Sequence, residues 1–206
     1  MVTLQALSKY LYAAMAAWVP LGQHAYYESE ESTKARYESI ADDYAAVALD
    51  PDEPPLYKGD EDRARVQTAL TLAAFGSYES FFNAEVDDGR KRGDHGTAYC
   101  LMQVRPIRGI FLDGTKYGWA VHKTKEWREE NADRILKGPD LLTDRKVCFT
   151  VALHMLRTDG IYGYTGEAKG GKKAEARLNR AKRWLSEHPF PMEEDGKDVD
   201  GRETRN

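Results

Sequence analysis

Glu79 is the residue of this sequence best placed to do chemistry. At helical spacing its neighbours are Leu72, Phe75, Gly76, Phe82 and Asn83, which sets its carboxyl along an apolar stripe instead of a wet helix face. A carboxyl in an apolar cleft resists ionisation. An acid that stays protonated near neutral pH is what glycoside cleavage needs, because it gives its proton to the glycosidic oxygen as the C–O bond breaks. Gly76, one turn back, would leave room for a sugar ring. The same periodicity also suits a Glu at the stripe's edge that reaches water or a buried Arg. Downstream, Asp94 is a second carboxylate able to hold a water, with Asp87 and Asp88 behind it. Its setting, Gly-Asp-His-Gly, is also ordinary turn chemistry, and Asp87-Asp88 with Arg90-Lys91-Arg92 reads as a solvated loop.

The elements that must position these groups follow from pattern. Residues 4–18 read as a helix with Leu, Tyr and Ala on one face, and residues 33–49 as a second. Residues 51–60 hold three prolines and a Lys-Gly-Asp, so they form a loop. Asp60 or Asp62 caps the next helix, 63–83, which carries Glu79. Residues 86–96 are polar and Gly-punctuated, and 99–104 are strand-like and end before Pro106. Together they predict a small hairpin or extended loop. Helices follow over 123–136 and 143–157, the latter with Val147, Val151, Leu153, His154 and Leu156 facing inward. A glycine cluster spans 160–171, a basic amphipathic helix 173–188, and a charged, flexible tail 192–206. The implied class is mainly α, an α+β arrangement in which a small β-hairpin sits beside a cleft. Its parts are an N-terminal helical extension (1–60), a catalytic domain (61–190) and a tail (191–206).

At 206 residues and 41% apolar composition, the chain supports one sizeable core. Charged residues make up 31%, with signs mixed and a net charge of −4, which argues against a mainly electrostatic nucleic-acid binder. The basic stretch 169–183 is interleaved with Glu175 and has Trp184 as its one aromatic neighbour, so it reads as a solvated helix face. No eighteen-residue apolar run exists, and no membrane span is expected. The Ala-rich stretch 10–21 has only Lys9 as a basic lead-in and reads as helix, not secretory signal. The two cysteines, Cys100 and Cys148, form no CxxC, and the five histidines are scattered, so neither a metal nor another cofactor is implied. The cysteines either pair, if the protein works outside the cytosol, or serve as small buried hydrophobes.

Three blocks carry a resemblance. Tyr78-Glu79-Ser80-Phe81-Phe82-Asn83, a Gly-rich polar segment and then Leu101-Met102-Gln103-Val104 resemble the goose-type lysozyme and soluble lytic transglycosylase superfamily, where a helix ends in Glu-Ser and a hairpin carries Gly-Leu-Met-Gln-Val. Gly93-Asp94-His95-Gly96-Thr97-Ala98-Tyr99-Cys100-Leu101-Met102-Gln103-Val104 is similar to the goose-type Gly-Asp-Arg-Gly-Asn-Gly-Phe-Gly-Leu-Met-Gln-Val. Gly160-Ile161-Tyr162-Gly163-Tyr164-Thr165 resembles the cleft-lining Gly-Ile-x-Ala-Tyr-Asn. The blocks come in the family's order, and the resemblance covers roughly residues 63–189.

The resemblance implies a lysozyme-like domain that cleaves the β-1,4 bond between N-acetylmuramic acid and N-acetylglucosamine in peptidoglycan glycan strands. Glu79 then matches the general acid, and Asp94 an aspartate that positions the attacking water. Gln103 and Tyr164 match residues that touch the sugar or support the acid, Tyr99 an aromatic position in the hairpin, and Thr165 the place of the Asn. Departures stand beside these matches. Cys100 replaces a Gly, so the backbone there lacks glycine's freedom. Thr165 loses an amide that both donates and accepts, and Arg105 stands where goose-type enzymes have a further aspartate. The resemblance also sets Cys100 in the hairpin and Cys148 on the core helix, where a disulfide would pin one to the other.

Two chemical endings are implied. Water held by Asp94 attacks in a muramidase, a route that needs about 6.5–9.5 Å between the carboxyls if it inverts. In a lytic transglycosylase the muramyl 6-hydroxyl closes on its own anomeric carbon, and one Glu serves as acid and then base. Without a signal, such a protein would reach the periplasmic or extracellular wall through lysis or inside a phage particle, where other virion proteins would be its partners. Two rivals remain. One is a lysozyme-like fold serving as a non-catalytic structural or binding module. The other is a helical interaction protein, which predicts no hairpin over 86–104 and no cleft beside Glu79.

Overall fold

Polar side chains open most of the long helices. Thr3 Oγ1 accepts from the Ala6 amide at 3.2 Å, Ser29 Oγ from Ser32 at 3.1 Å, Asp60 Oδ1 from Arg63 at 2.9 Å, and Asp144 Oδ1 from Lys146 at 2.8 Å. The computed structural model describes residues 1–24 and 26–192. Among them α1 (Leu4–Trp18), α2 (Glu30–Leu49), α3 (Glu61–Glu79) and α4 (Ala84–Asp87) come first. Strands β1 (Ile110–Asp113) and β2 (Lys116–Trp119) follow, then α5 (Lys125–Glu130), α6 (Asp140–Thr143), α7 (Arg145–Thr158), α8 (Gly160–Tyr164) and α9 (Lys172–Glu187). The fold is mainly α with one small antiparallel hairpin, as the sequence pattern implies. No helix among the described residues is long and apolar enough to cross a membrane.

Helix α3 is the axis of the core. Between Thr68 and Ser77 every residue is buried, because α1, α2, α7 and α9 all pack against it. Residues 1–60 contribute Leu7, Leu11, Met15, Ile40 and Tyr44 to the same cluster that holds Phe75, Phe149 and Leu153. Tyr44 of α2 stacks on Phe149 of α7 with ring centroids 3.9 Å apart, and burial pushes its phenol well above the usual range. The segment read as an N-terminal extension therefore walls the hydrophobic core of the described residues.

Several elements differ from the sequence reading. The helix expected over 63–83 stops at Glu79. Residues 86–104 form no paired strands. They hold a helical turn, a 3₁₀ turn and two isolated bridges, Gly93 with Ala98 and Tyr99 with Val104, because Asp94, His95, Cys100 and Gln103 all take left-handed φ and break any ladder. The hairpin lies instead at 110–119, where Gly114 at φ 56° turns the chain. The helix expected over 123–136 is short: Asn131 caps α5 by donating from its side chain to the Trp127 carbonyl at 2.9 Å, and α5 has no buried face to extend. In α7 Val151, Leu153, His154 and Leu156 are buried, with Val147 half-buried. The tail expected to be flexible lies, beyond Met192, outside the described residues.

Candidate functional site

Glu79 is the last residue of α3, and its position depends on how that helix ends. The amide and Oγ of Ser80 both donate to the Gly76 carbonyl, at 3.0 and 2.9 Å, while Ser80 Oγ accepts from the Phe82 amide at 3.2 Å. Phe81 and Phe82 then take φ of 52° and 49°. Left-handed backbone costs a bulky residue about 1–2 kcal/mol, so something outside the turn must hold it. The N-terminal region does so. His24 donates from Nε2 to the Phe81 carbonyl at 2.8 Å, and Arg36 donates to the Phe82 carbonyl while Glu28 grips the same guanidinium at 2.6 Å. Burial lowers the affinity of His24 for a second proton, and so favours the neutral ring.

Glu79, Asp94, Gln103, Tyr164 and Thr165 line one cavity of about 820 Å³. This cleft beside Glu79 is what the reading as a simple helical interaction protein does not predict. The setting of Glu79 is nevertheless not the apolar one expected from the stripe. Arg177 of α9 donates from Nη2 to Glu79 Oε1 at 2.5 Å, itself stacked near the rings of Phe75 and Tyr78 at 5.6 and 5.2 Å. Of the two environments the periodicity allowed, the buried Arg is the one present. Gly76 leaves no room for a sugar either. A Cβ there would lie 2.1 Å from the Tyr44 hydroxyl, so the glycine admits Tyr44.

The other carboxylates divide. Asp94 is exposed, at φ 45°, and pairs with Arg105 Nε at 3.3 Å. Asp87 does not line the cavity and takes a bidentate pair from Arg145, both bonds at 2.7 Å, while Asp88 pairs with Arg90 at 2.7 Å.

Gln103, also left-handed, donates from Nε2 to the Cys100 carbonyl at 2.9 Å. Its Oε1 packs 2.0 Å from where a Cβ of residue 93 would lie, so a larger residue at Gly93 would displace the Gln103 amide. Tyr164 donates to the Met102 carbonyl at 2.6 Å. Burial, and then the charge of Glu79, push its phenol well above the usual range. It is a strut under the 100–104 turn. Thr165 Oγ1 donates to the Tyr162 carbonyl at 3.0 Å. Tyr99 does not line the cavity: its ring covers Gly138 and takes the Arg92 guanidinium 4.9 Å from its centroid.

Cys100 and Cys148 are joined in a disulfide, with Cα atoms 6.5 Å apart, which ties the cleft turn to α7. Cys100 sits at φ 58°, so the chain adopts there the backbone that glycine favours without a glycine.

Sequence reasoning missed the opposite wall. Tyr117 and Trp119 of β2 enter the cavity, with rings edge to face at 5.5 Å, and Tyr117 donates to Asp159 Oδ2 at 2.5 Å. The signal was present as Asp113-Gly114 between two apolar runs. For Arg177, a cation inside a basic helix, no sequence signal existed. Among the described residues no cluster of His, Cys, Asp or Glu suits a metal ion. No family model matches the chain, and no curated protein or solved structure matches it.

Proposed function

We propose that the chain is a glycosidase of peptidoglycan glycan strands, acting on the bond between N-acetylmuramic acid and N-acetylglucosamine with Glu79 as general acid. The observation that carries this reading is the convergence of Glu79, Asp94 and Gln103 on one open cavity from separate parts of the chain, with aromatic rings on the facing wall. Tyr117 and Trp119 offer the flat apolar surface that a sugar ring packs on. Arg105, Arg108, Lys173 and Arg177 outnumber Glu79, Asp94 and Asp159 in the lining, a slight cationic excess in a chain of net charge −4 that suits an anionic polymer. Substrate entry displaces Arg177 from Glu79, whose carboxyl then takes up a proton from water and donates it to the glycosidic oxygen as the C–O bond breaks. Asp94, released from Arg105, holds the attacking water in the muramidase version. In the transglycosylase version the muramyl 6-hydroxyl replaces that water. The protein would reach the wall through lysis or as part of a phage particle.

One observation favours the rival, a lysozyme-like module without catalysis: the Arg177–Glu79 pair fills the position of the acid with a satisfied ion pair. Digestion of purified peptidoglycan separates the two. Wild type should release muropeptides and Glu79→Gln should not. Reducing ends mean hydrolysis, and 1,6-anhydro ends mean transglycosylation. Sacculi of several wall types left intact by wild type would establish the non-catalytic module.

A further inference from the structure

Among the buried residues of α7, His154 alone can carry a charge, and it is 1% exposed. Both of its ring nitrogens meet acceptors. Nε2 lies 2.7 Å from Glu53 Oε1, in the connection between α2 and α3, and Nδ1 lies 2.9 Å from the Lys116 carbonyl of β2. A neutral imidazole has one N–H and one lone pair, so it would serve one of these oxygens and turn a lone pair on the other. The carbonyl has no proton to supply. Glu53 is committed as an acceptor on its other oxygen, where Arg157 donates from Nη1 to Oε2 at 2.5 Å, and a guanidinium pairs with a carboxylate. The arrangement closes only with a proton on each ring nitrogen.

The Nδ1 proton is the one that bears on the cavity. Lys116 directly precedes Tyr117, and Tyr117 and Trp119 of the same strand form the aromatic wall. Of the two bonds, the one to the Glu53 carboxylate is charge-assisted at both ends and is the stronger. A proton lost to water therefore comes from Nδ1. It leaves a lone pair facing the Lys116 carbonyl oxygen in a buried site, where two unpaired acceptors repel. Charged and titratable groups on the other elements packed against α7 have partners of their own. From α2, Asp43 takes Arg145 at the far end of α7, and from α6, Asp140 accepts from the Lys137 amide. From α8, Tyr164 donates to the Met102 carbonyl. On β2 itself, burial and then Asp159 hold the Tyr117 phenol above its usual range. Glu53 and Arg157 are thus the charged side chains grouped at the ring among the described residues.

We infer that His154 is the positioning residue of the aromatic wall, and that the wall keeps its place only while both ring nitrogens carry protons. The cavity then has an alkaline switch of its own, whatever ligand it takes. Its test needs no ligand, so failure here leaves the glycan-cleaving proposal standing. Full-length ¹⁵N-labelled protein is titrated by NMR from about pH 6 to 10. It carries His122→Gln, which removes an exposed imidazole three residues past Trp119. At the acid end the His154 ring should show two protonated nitrogens. As the pH rises, Nδ1 should lose its proton, and the Tyr117 amide and Trp119 indole signals should move with the same midpoint. Adding His154→Gln should leave those two signals flat. Adding Glu53→Gln is the sharper variant, and it serves where His154→Gln fails to fold. The amide gives its oxygen to Arg157 and an N–H to Nε2, so the ring sheds the Nε2 proton and keeps Nδ1–H on Lys116. The imidazole should then titrate about one pH unit lower while Tyr117 and Trp119 stay in place. A singly protonated ring at about pH 6, or both ring protons kept to about pH 10, overturns the inference. So do Tyr117 and Trp119 signals that follow the pH in either variant as they do with His154 and Glu53 present.

Discussion

Arg177 reaches from the last helix to Glu79 at the end of the central one and donates to its Oε1 at 2.5 Å, with both side chains largely buried. The pair joins α9 to the lip of the cleft and sets the resting state of the proposed acid. Truncating one member of a buried pair strands the other charge. Arg177→Met should therefore cost about 3 kcal/mol in urea denaturation, and Glu79→Gln, which keeps an acceptor, about 1 kcal/mol. The double variant should lose less than the sum of the two. Additive losses would mean the two side chains act independently.

The disulfide closes a loop with a sequence separation of 48 residues, which by chain entropy is worth about 4 kcal/mol. Reduction should lower the denaturation midpoint accordingly. Because residue 100 is left-handed, Cys100→Gly with Cys148→Ala should be about 1 kcal/mol more stable than Cys100→Ala with Cys148→Ala. The reverse order would mean that residue 100 leaves the left-handed region once the cross-link is gone.

Stability should respond to pH in two windows, both through the turn after Glu79. His24 binds its proton less readily folded than the ordinary value of 6.5, chiefly through burial. Its contribution is complete above that value and declines as the pH falls through it toward the folded pKa, because the unfolded chain takes up the proton first. For Glu28, burial works to raise the carboxyl, but the hydrogen bonds from Arg36 and Thr33 more than offset it, and the net value lies below 4.5. That contribution is complete above 4.5 and lost as the pH falls further. Thermal melts from about pH 7 to 5 should slope downward in wild type and flatten in His24→Gln. Glu28→Gln should narrow its gap from wild type only in the more acidic window.

Gly76→Ala tests what the glycine is for. At most helix positions the change gains about 0.5–1 kcal/mol. Here the new methyl meets the Tyr44 hydroxyl at 2.1 Å, and a loss of about 2 kcal/mol is expected. Adding Tyr44→Phe should recover much of it. A stabilising Gly76→Ala would show that the core has slack at this point.

The long helices were legible because their apolar faces repeat at 3.6 residues and polar side chains cap them, as at Asp60 and Asp144. The end of α3 was not. Phe81 and Phe82 continue the helical pattern, and only tertiary hydrogen bonds from His24 and Arg36 turn them left-handed. Residues 99–104 read as a short strand-like segment, yet Cys100 and Gln103 reverse the backbone within that run. At the site, Glu79, Asp94, Gln103, Tyr164 and Thr165 were found by motif and do share a cavity, while Tyr99 lies off it. Arg177 came from a helix whose composition reads as solvated, because sequence distance hides a contact between residues 98 positions apart.

The bracing of the post-Glu79 turn by His24 and Arg36 also bears on modularity. The first sixty residues are not cargo that can be cut away or exchanged. A chimera that grafts residues 61–190 behind another leader would keep Glu79 but not the scaffold that shapes its surroundings. Portability of this fold begins at α1, and any useful fusion junction lies outside the span from Leu4 to Glu187.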